Sequence, residues 1–539
     1  MRQPGRAARA KSGRYGALIL VCGAVALLTF AVHFWSAPIG SKVASISEKW
    51  RRRSSDPHDY VVPPSSAHAY LAGKLPAFTG RQAYHNNETH QSLLRQRTSQ
   101  YIDWILKDLE PWHDSGISED LIGYTAALGD ICEGPMAHIQ ISHGALWVKQ
   151  INTGNKTSEE VRNLYNTLLG VLDALSVFGQ EIPDIDAVIH AGAAPCMRRK
   201  WRHGGPPQVL LSVSGSTRHF DVPLPHYSLW VDEQRTVLAP SGEPLVSWED
   251  VAPLLRGKYA NTSLLARVPR AQWRGEANDP AHPERGQLRR AFADCPRRLR
   301  EESREREAAL VDVDPARPVA LEDVCDSRYA LACGSLVVAF QPEYWEFWTR
   351  ALRPGTHFAQ LTNEEDHVCN QTVAAVAQMN ALFGTVGASA LKGPKEPTPT
   401  LAAAWEEIRA DPGLEALLTN PSDDDVPAPG PDGAYAWGGK ATPWEMAWAG
   451  YDFVHDNVRL EDAVLYTRDL FQAYARLQKH DVRPAHGAAC LNGPRLLALL
   501  GGPRSALGRA VRAAHPWLEG YEGHCRQSEK YWNEIKKKI

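Results

Sequence analysis

A tryptophan, two arginines and a glycine stand close together in the middle of the chain. Residues 273–285 read W-R-G-E-A-N-D-P-A-H-P-E-R, so Arg274 follows Trp273 directly and Arg285 ends the stretch. A guanidinium group stays charged at physiological pH and can donate two parallel hydrogen bonds to a phosphate. Gly275 would let backbone N–H groups approach the same oxygen atoms. The stretch could therefore bind a diphosphate, although an arginine beside an aromatic ring more often only packs there and remains solvated.

Composition excludes several other kinds of site. The 539 residues carry a formal net charge of −3 and a pI near 6.7, which argues against a general nucleic-acid-binding surface. The sequence contains neither a G-x-x-x-x-G-K-[ST] loop nor a G-x-G-x-x-G signature. It also lacks a C-x-x-C pair and a tight Cys/His cluster, so we expect no metal site and no bound cofactor.

The N-terminal region has the pattern of a membrane anchor. Residues 1–14 carry basic but no acidic residues, and residues 15–35 contain no Asp, Glu, Lys or Arg. An apolar helix of that length can cross a bilayer. We predict a cytosolic tail at 1–14, a transmembrane signal anchor at 15–35 and a polar stem at 36–95. A signal peptide cleaved near Ser36 is the alternative.

This arrangement predicts a single-pass type II protein of the Golgi or endoplasmic reticulum, with a lumenal head. Eight cysteines follow the span, an even number that is compatible with disulfides in that compartment, although their pairing cannot be read from sequence. Four N-x-[ST] sequons would be glycosylation acceptors in the lumen. Their asparagines are Asn87, Asn155, Asn261 and Asn370.

Helix and strand signals alternate through the first part of the head. Thr157 and Glu160 have the spacing of a capping box, and apolar residues follow at helical spacing. Short apolar runs at 187–189 and 209–213 predict buried strands. The alternation favours an α/β fold with parallel strands, in which ligands bind beyond the carboxyl ends of the strands. We therefore expect functional residues within 190–195 and 215–225.

The second part of the head carries similar signals. Residues 335–340 predict a core strand and 342–352 a helix, whereas the mixed charges of 297–307 are typical of a solvated helix face. Residues 393–440 are rich in Pro, Ala, Gly and Asp and indicate a disordered insert. Apolar residues between 460 and 477 form one helical stripe, which usually serves packing.

Several of these segments form an ordered set of motifs that covers most of the head, from about Leu121 to Pro484 without the insert. The segments are Ile182–Asp184, Asp221–Pro225 with Ser228–Trp230, Trp273–Gly275 with Arg285, Glu322–Cys325, Arg328–Ser335, Pro342–Phe358 and Tyr466–Leu477. In this order they resemble the protein O-glucosyltransferase and capsule-associated (CAP10-like or Rumi-like) family, glycosyltransferase family 90.

The resemblance implies a GT-B architecture, in which two Rossmann-like domains enclose the donor. On this basis we place the first Rossmann-like domain at 96–232 and the second, donor-binding domain at 233–392. The insert at 393–440 and C-terminal helices at 441–539 complete the head behind the transmembrane helix.

The resemblance also implies transfer of a hexose or pentose from a nucleotide sugar, usually UDP-linked, to a protein or glycan hydroxyl. Such transfer inverts the configuration at the reacting carbon of the sugar and needs no metal. Arg274 and Arg285 would bind the diphosphate beside Trp273 and Gly275, and Gly334 with Ser335 would line the donor site.

Two departures from the family pattern concern catalysis. The family places its base Asp two residues before a proline, and the matching residue here is Ala193. A positioned base contributes roughly 10²–10⁴ to the rate. Asp184 and Asp186 precede the predicted strand rather than follow it, which makes them poorly placed substitutes. In addition, Arg328 follows Cys325 almost directly, so a donor-contacting segment of the family is missing.

Three alternatives follow. The head could be a degenerate, non-catalytic sugar- or peptide-binding module on the same fold. It could be a metal-dependent GT-A transferase, with its carboxylates at Asp184 and Asp186 or at Asp312 and Asp314. It could also be a purely structural membrane protein, in which the arginines near Trp273 would be freely replaceable.

Overall fold

A six-stranded mixed sheet lies at the centre of the part of the chain that the computed structural model describes. All of the described residues belong to one unit, Val61–Ile539. They are 85, 88–154, 157–192, 194–201, 207–231, 237–238, 244–245, 247–260, 271–273, 283–313, 327–340, 344–361, 367–377, 443–484, 487–519 and 521–538.

The structure gives the bounds of twelve strands and fourteen α-helices in these ranges, and residues 367–377 are helical as well. The strands are β1 Met136–Ser142, β2 Ala145–Asn152, β3 Ile185–His190, β4 Leu211–Ser212, β5 Val222–Pro223, β6 Val237–Leu238, β7 Pro244–Leu245, β8 Ala271–Trp273, β9 Val311–Val313, β10 Val338–Phe340, β11 Ala359–Leu361 and β12 Ala489–Cys490. The helices are α1 Glu88–Arg95, α2 Ile102–Leu109, α3 Glu119–Ala126, α4 Ser158–Phe178, α5 Trp248–Ala260, α6 Pro283–Ala293, α7 Cys295–Glu301, α8 Glu305–Ala308, α9 Ser327–Ala332, α10 Pro443–Asn457, α11 Leu460–Leu477, α12 Gly493–Leu499, α13 Ala506–Ala514 and α14 Glu522–Lys538.

The sheet has the strand order β12-β2-β1-β3-β4-β5. Strands β3, β4 and β5 are parallel, as the sequence predicts. The expectation of a parallel sheet is wrong for the other half, because β1 pairs antiparallel with β2 and β3, and β12 pairs antiparallel with β2. For β1 and β2 the reason is the two-residue loop His143-Gly144, whose φ angles of 53° and 70° fit the type I′ turn of a hairpin.

Helix α4 packs with α11 beside this sheet. Thr157 and Glu160 form the predicted capping box, so α4 begins where the sequence indicates. Leu168 and Leu172 of α4 are fully buried, as are Val464 and Phe471 of α11. Each such side chain contributes roughly 1.5–3 kcal/mol by leaving water. The apolar stripe of α11 therefore serves packing, as predicted.

The region of the predicted second Rossmann-like domain shows three short strand pairs among its described residues. Strands β8 and β9 are parallel, as are β10 and β11, whereas β6 and β7 are antiparallel. The division into domains at 96–232 and 233–392 stays a prediction. The strand expected within 335–340 is present as β10.

Two helix predictions need correction. The described residues of 342–352 form turns and a short 3₁₀ segment, Thr349–Ala351, and no α-helix. Packing overrides propensity there, because Trp348 is fully buried and the backbone of Trp345 pairs with Gly215. The charged face at 297–307 is divided between α7 and α8, since Ser303 has a φ of 60°.

The predicted tail, anchor and insert lie outside the described residues, as does almost all of the stem. In the ranges that the structure describes, no helix is both long and apolar enough to cross a bilayer.

Candidate functional site

The carboxyl ends of the three parallel strands meet at one edge of the sheet. Strand β3 ends at His190, β4 at Ser212 and β5 at Pro223. The predicted functional stretch 190–195 begins at the last residue of β3, and the stretch 215–225 follows β4 and contains β5. Open α/β sheets bind ligands at such an edge, so the described residues around it form the candidate site.

A buried carboxylate, Asp221, organises this edge. Its Oδ1 accepts hydrogen bonds from Ser212 Oγ at 2.6 Å and Cys196 N at 2.8 Å, and its Oδ2 accepts one from Met197 N at 2.6 Å. Burial raises the pKa of Asp221 to about 6, even though these hydrogen bonds act to lower it. Asp221 therefore holds the loop after β3 against the end of β4, a role that its place in a sequence motif did not reveal.

His190 joins the same network. Its Nδ1 lies 3.4 Å from Ser212 Oγ, and its Nε2 lies 2.7 Å from the backbone oxygen of Glu133. The arrangement contains a serine, a histidine and an aspartate, but Ser212 donates to the carboxylate and not to the imidazole. His190 and Ser212 are also fully buried. These residues shape the edge and are not a nucleophile with its base.

The loop after β4 is held by a second set of contacts. Gly215 exchanges two backbone hydrogen bonds with Trp345, and a Cβ at Gly215 would lie 2.9 Å from the indole Nε1 of Trp345. Ser216 Oγ is 2.6 Å from His219 Nδ1. The ring of His219 packs edge-on against Tyr344. These contacts hold the loop in place at the rim of the candidate site.

A disulfide joins the two backbone segments that flank the edge. Cys132 precedes β1, Cys196 follows β3, and their Cα atoms are 5.4 Å apart. The other disulfides between described residues are Cys295–Cys369 and Cys490–Cys525, and Cys333 is buried. The even set of eight therefore does not pair completely among the described residues. Cys325 lies outside them.

The predicted donor residues are described only in part. Trp273 ends β8 and Arg285 lies in α6, each with its backbone alone described, whereas Arg274, Gly275 and Ala193 lie outside the described residues. The predicted diphosphate site and the expected base position therefore stay predictions.

Gly334 and Ser335 have a visible structural role. Gly334 N donates to Leu331 O and Ser335 N to Ala330 O, the pair of bonds that ends a helix in a Schellman motif. Gly334 has a φ of 64°, which favours glycine. The two residues thus end α9, with Gly334 buried and Ser335 exposed.

Asp184 and Asp186, which a metal-dependent transferase could use as ligands, accept hydrogen bonds from other residues of the protein. Asp184 accepts hydrogen bonds from Ser142 Oγ and His143 N. Asp186 accepts from Gln140 Nε2 at 2.8 Å and lies 2.5 Å from His138 Nε2. No group of three or more metal-ligating side chains occurs in the described ranges. Asp312 lies in β9, and Asp314 is outside the described residues.

One of the four sequons is described. Asn370 is exposed, and its Oδ1 accepts a hydrogen bond of 2.8 Å from Arg304 Nη1. A glycan attached to the amide nitrogen would leave this acceptor intact. Asn87, Asn155 and Asn261 lie outside the described residues.

Comparison with known proteins identifies relatives of this chain. The family model "Glycosyl transferase family 90" matches residues 95–382. The "O-glucosyltransferase rumi homolog" of Anopheles gambiae is 22% identical over 279 residues, which are 48% of this chain and 64% of the relative. The "O-glucosyltransferase rumi" of Drosophila pseudoobscura pseudoobscura is 22% identical over 405 residues, 70% of this chain and 78% of the relative. The chain thus spans less than two thirds of the Anopheles protein.

Proposed function

Because the chain belongs to glycosyltransferase family 90, we propose that it transfers a sugar from a nucleotide sugar, most simply a UDP-sugar, to a hydroxyl group of a protein or glycan. The observation that carries this proposal is the family match over residues 95–382. That stretch contains both the β3–β5 edge and the arginines of 273–285. The names of both relatives support transfer of a glucosyl group to an oxygen atom. The range of sugars that we propose, a hexose or a pentose, comes from the motif resemblance.

The chemistry assigns separate tasks to the two regions. Arg274 and Arg285 neutralise the diphosphate as it leaves, with Gly275 allowing close approach of the backbone and Trp273 packing beside them. The β3–β5 edge receives the acceptor hydroxyl, whose proton a base must accept as the oxygen attacks. The acceptor approaches the sugar carbon opposite the diphosphate, so the configuration at that carbon is inverted. The transfer is metal-independent, since the arginines take the place of a cation.

We place the protein in the lumen of the endoplasmic reticulum or Golgi, held to the membrane by residues 15–35. Three described disulfides support an oxidising compartment. The exposed sequon at Asn370 is accessible to glycosylation in the same compartment.

A second candidate function is binding without transfer. Ala193 stands where the family has its base, and Arg328 follows Cys325 without the intervening donor-contacting segment. A head that lost both features would keep the fold and recognise a sugar or peptide.

Titration of UDP into the purified full-length protein tests the proposed function. We expect Arg274→Ala and Arg285→Ala each to weaken UDP binding by at least about tenfold, because charge-assisted bonds to phosphate contribute roughly 1.5–3 kcal/mol each. Arg297→Ala is the matched control, since Arg297 is exposed and pairs with Asp294 and Glu301 on α7. Binding of UDP with unchanged affinity in both variants would contradict the assignment.

A further inference from the structure

Helix α3 and the 3₁₀ segment that follows it, Ala127–Asp130, present one continuous face to solvent. The backbone stays in the helical region at Ala126, Ala127 and Ile131, so the helical spacing continues past the end of α3. The opposite side is buried through Ile122, Thr125 and Ala126. The solvent side, which we call the α3 face, consists of Asp120, Gly123, Tyr124, Ala127 and Ile131, all of them exposed.

The α3 face carries two unusually exposed apolar side chains. Tyr124 is 66% exposed and Ile131 is 61% exposed, the highest values among the large hydrophobic side chains of the described residues. A Cβ at Gly123, between them, would meet no atom of the described residues within 4 Å. One exposed apolar residue is ordinary, but two on the same face of one element indicate an interaction surface. Tyrosine is moreover enriched where proteins contact their partners.

The α3 face leads to the candidate site. Helix α3 packs against β3, whose carboxyl end forms part of the edge. Ile131 directly precedes Cys132, which is bonded to Cys196, and the N–H group of Cys196 donates to Asp221. A molecule that covers the α3 face therefore reaches the edge that receives the acceptor hydroxyl.

The length of the α3 face fits a polypeptide. From Asp120 to Ile131 a helix rises roughly 16 Å, at 1.5 Å per residue. An extended peptide covers that distance with about five residues, at 3.3 Å each. A single sugar ring would leave either Tyr124 or Ile131 uncovered. The two apolar side chains lie two helical turns apart, so both are buried only by a partner that runs along the helix.

Acidic residues flank the α3 face at both ends. Glu119 and Asp120 are exposed at its start, and Glu133 is exposed just beyond Ile131. Residues 113–133 contain five acidic residues and no Lys or Arg. Acids in a first turn stabilise a helix, but that effect does not account for Glu133, which follows the helical segment. Charges of opposite sign attract across an interface, so the α3 face favours a basic partner.

We infer that the α3 face binds the polypeptide that accepts the sugar, and that it selects segments in which apolar side chains lie beside Lys or Arg. This inference rests on the proposed function and specifies the acceptor. Tyr124 and Ile131 would cover the apolar side chains of the acceptor, and the acidic flanks would pair with its cations. The accepting hydroxyl would then lie at the β3–β5 edge.

Binding of the full-length protein to an array of short synthetic peptides tests this inference. Each peptide has a central Ser, and its other positions are drawn from Lys, Glu, Leu and Gly. We expect peptides that contain both Lys and Leu to bind at least about tenfold more tightly than the matched peptides with Glu for Lys or Gly for Leu. The double variant Tyr124→Ser, Ile131→Ser should lose this preference.

The control is a double variant with the same kinds of substitution at other exposed positions, Tyr531→Ser in α14 and Leu499→Ser in α12. It should keep the wild-type preference. Affinity for UDP, measured by calorimetry, and the melting temperature should be unchanged in both double variants, because the four side chains are exposed. A loss of peptide binding with unchanged UDP affinity and melting temperature assigns the effect to the α3 face and not to misfolding.

The outcomes separate this inference from the proposed function. A wild-type protein that binds UDP but shows no preference for Lys-Leu peptides overturns the inference alone, as does a preference that survives in the Tyr124→Ser, Ile131→Ser variant. If the wild type sediments as a dimer and this variant as a monomer, the face binds a second copy of the chain, and acceptor binding is overturned. A wild-type protein that does not bind UDP or any UDP-sugar overturns the proposed function itself.

Discussion

Two buried carboxylates of the same sheet, Asp186 and Asp221, have different partners and different consequences. Asp186 lies within β3 and meets the imidazole of His138 and the amide of Gln140. Burial acts to raise its pKa, but the hydrogen bond from His138 and the nearby positive charge outweigh burial, so the pKa is lowered. Asp221, at the strand ends, meets two backbone N–H groups and a hydroxyl, and burial raises its pKa to about 6.

The difference shows that partners and position decide what a buried carboxylate does. The cluster of Asp186 fills a polar layer on β1, where His138, Gln140 and Ser142 alternate with apolar residues, and it ties strands together. Asp221 ties a loop to the strand ends and thereby shapes the edge where the acceptor is expected. The first carboxylate should matter chiefly for stability, and the second for both stability and catalysis.

The largest effect is expected from Asp186→Ala. Removing this carboxylate leaves buried His138 and Gln140 without their partner, which costs about 3–5 kcal/mol of unfolding free energy. Guanidinium unfolding of the wild type and the variant measures the loss. Asp184→Ala is the control, because the Asp184 side chain is 35% exposed and should cost far less. Equal losses in the two variants would contradict the assignment of Asp186 as the structural partner.

Asp221→Asn should lower stability by about 1–3 kcal/mol, because the amide offers one acceptor oxygen to three donors. It should also lower UDP-sugar turnover while the affinity for UDP stays constant, since the loop at 194–197 is released. Parallel denaturation, turnover and calorimetry separate the two effects. If Asp221→Asn loses stability but keeps full turnover, Asp221 has only a structural role, as Asp186 does.

The pKa shifts of the two carboxylates also predict that their contributions to stability change with pH in opposite directions. The pKa of Asp221 is raised above its unfolded value, so its contribution is present at low pH and is lost as pH rises through about 6. This loss should be on the order of 1 kcal/mol between pH 5 and 7. The pKa of Asp186 is lowered, so Asp186 stabilises the fold at pH values above its unfolded pKa, and this stabilisation is lost in acid. Between pH 5 and 7 the free energy of unfolding should fall less in Asp221→Asn than in the wild type. An identical fall in both proteins would contradict the raised pKa of Asp221.

The smallest effect is expected from Ser212→Ala. It removes one hydroxyl donor from Asp221 but leaves the backbone donors of Cys196 and Met197 in place. The cost should be about 0.5–1.5 kcal/mol, with turnover reduced less than in Asp221→Asn. A larger effect than that of Asp221→Asn would show that the hydroxyl, and not the carboxylate, organises the edge.

Local patterns of residues predicted the correct elements where those patterns were strong. The capping box of α4, the buried strand β3 and the stripe of α11 were all predictable from spacing. The β1–β2 hairpin was not predicted, because His-Gly is a weaker turn signal than Asn-Gly or Asp-Gly. The failed helix at 342–352 depended on tertiary contacts of Trp345 and Trp348, which no local pattern contains.

The candidate site was predictable to a smaller degree. Parallel strands led to the edge at 190–195 and 215–225, and the motif resemblance led to the family. The sequence did not reveal that Asp221 accepts hydrogen bonds from the N–H groups of Cys196 and Met197, which are 25 and 24 residues away.

Thermal unfolding of the full-length protein with nucleotides and UDP-sugars, with and without Mn²⁺, tests the central claim most directly. Binding at 100 times the dissociation constant adds about 2.7 kcal/mol of stability, which gives a measurable rise in melting temperature. We predict a rise with UDP and at least one UDP-sugar that does not depend on Mn²⁺. No rise with any nucleotide would contradict the account, and a rise only with Mn²⁺ would contradict its metal-independent mechanism.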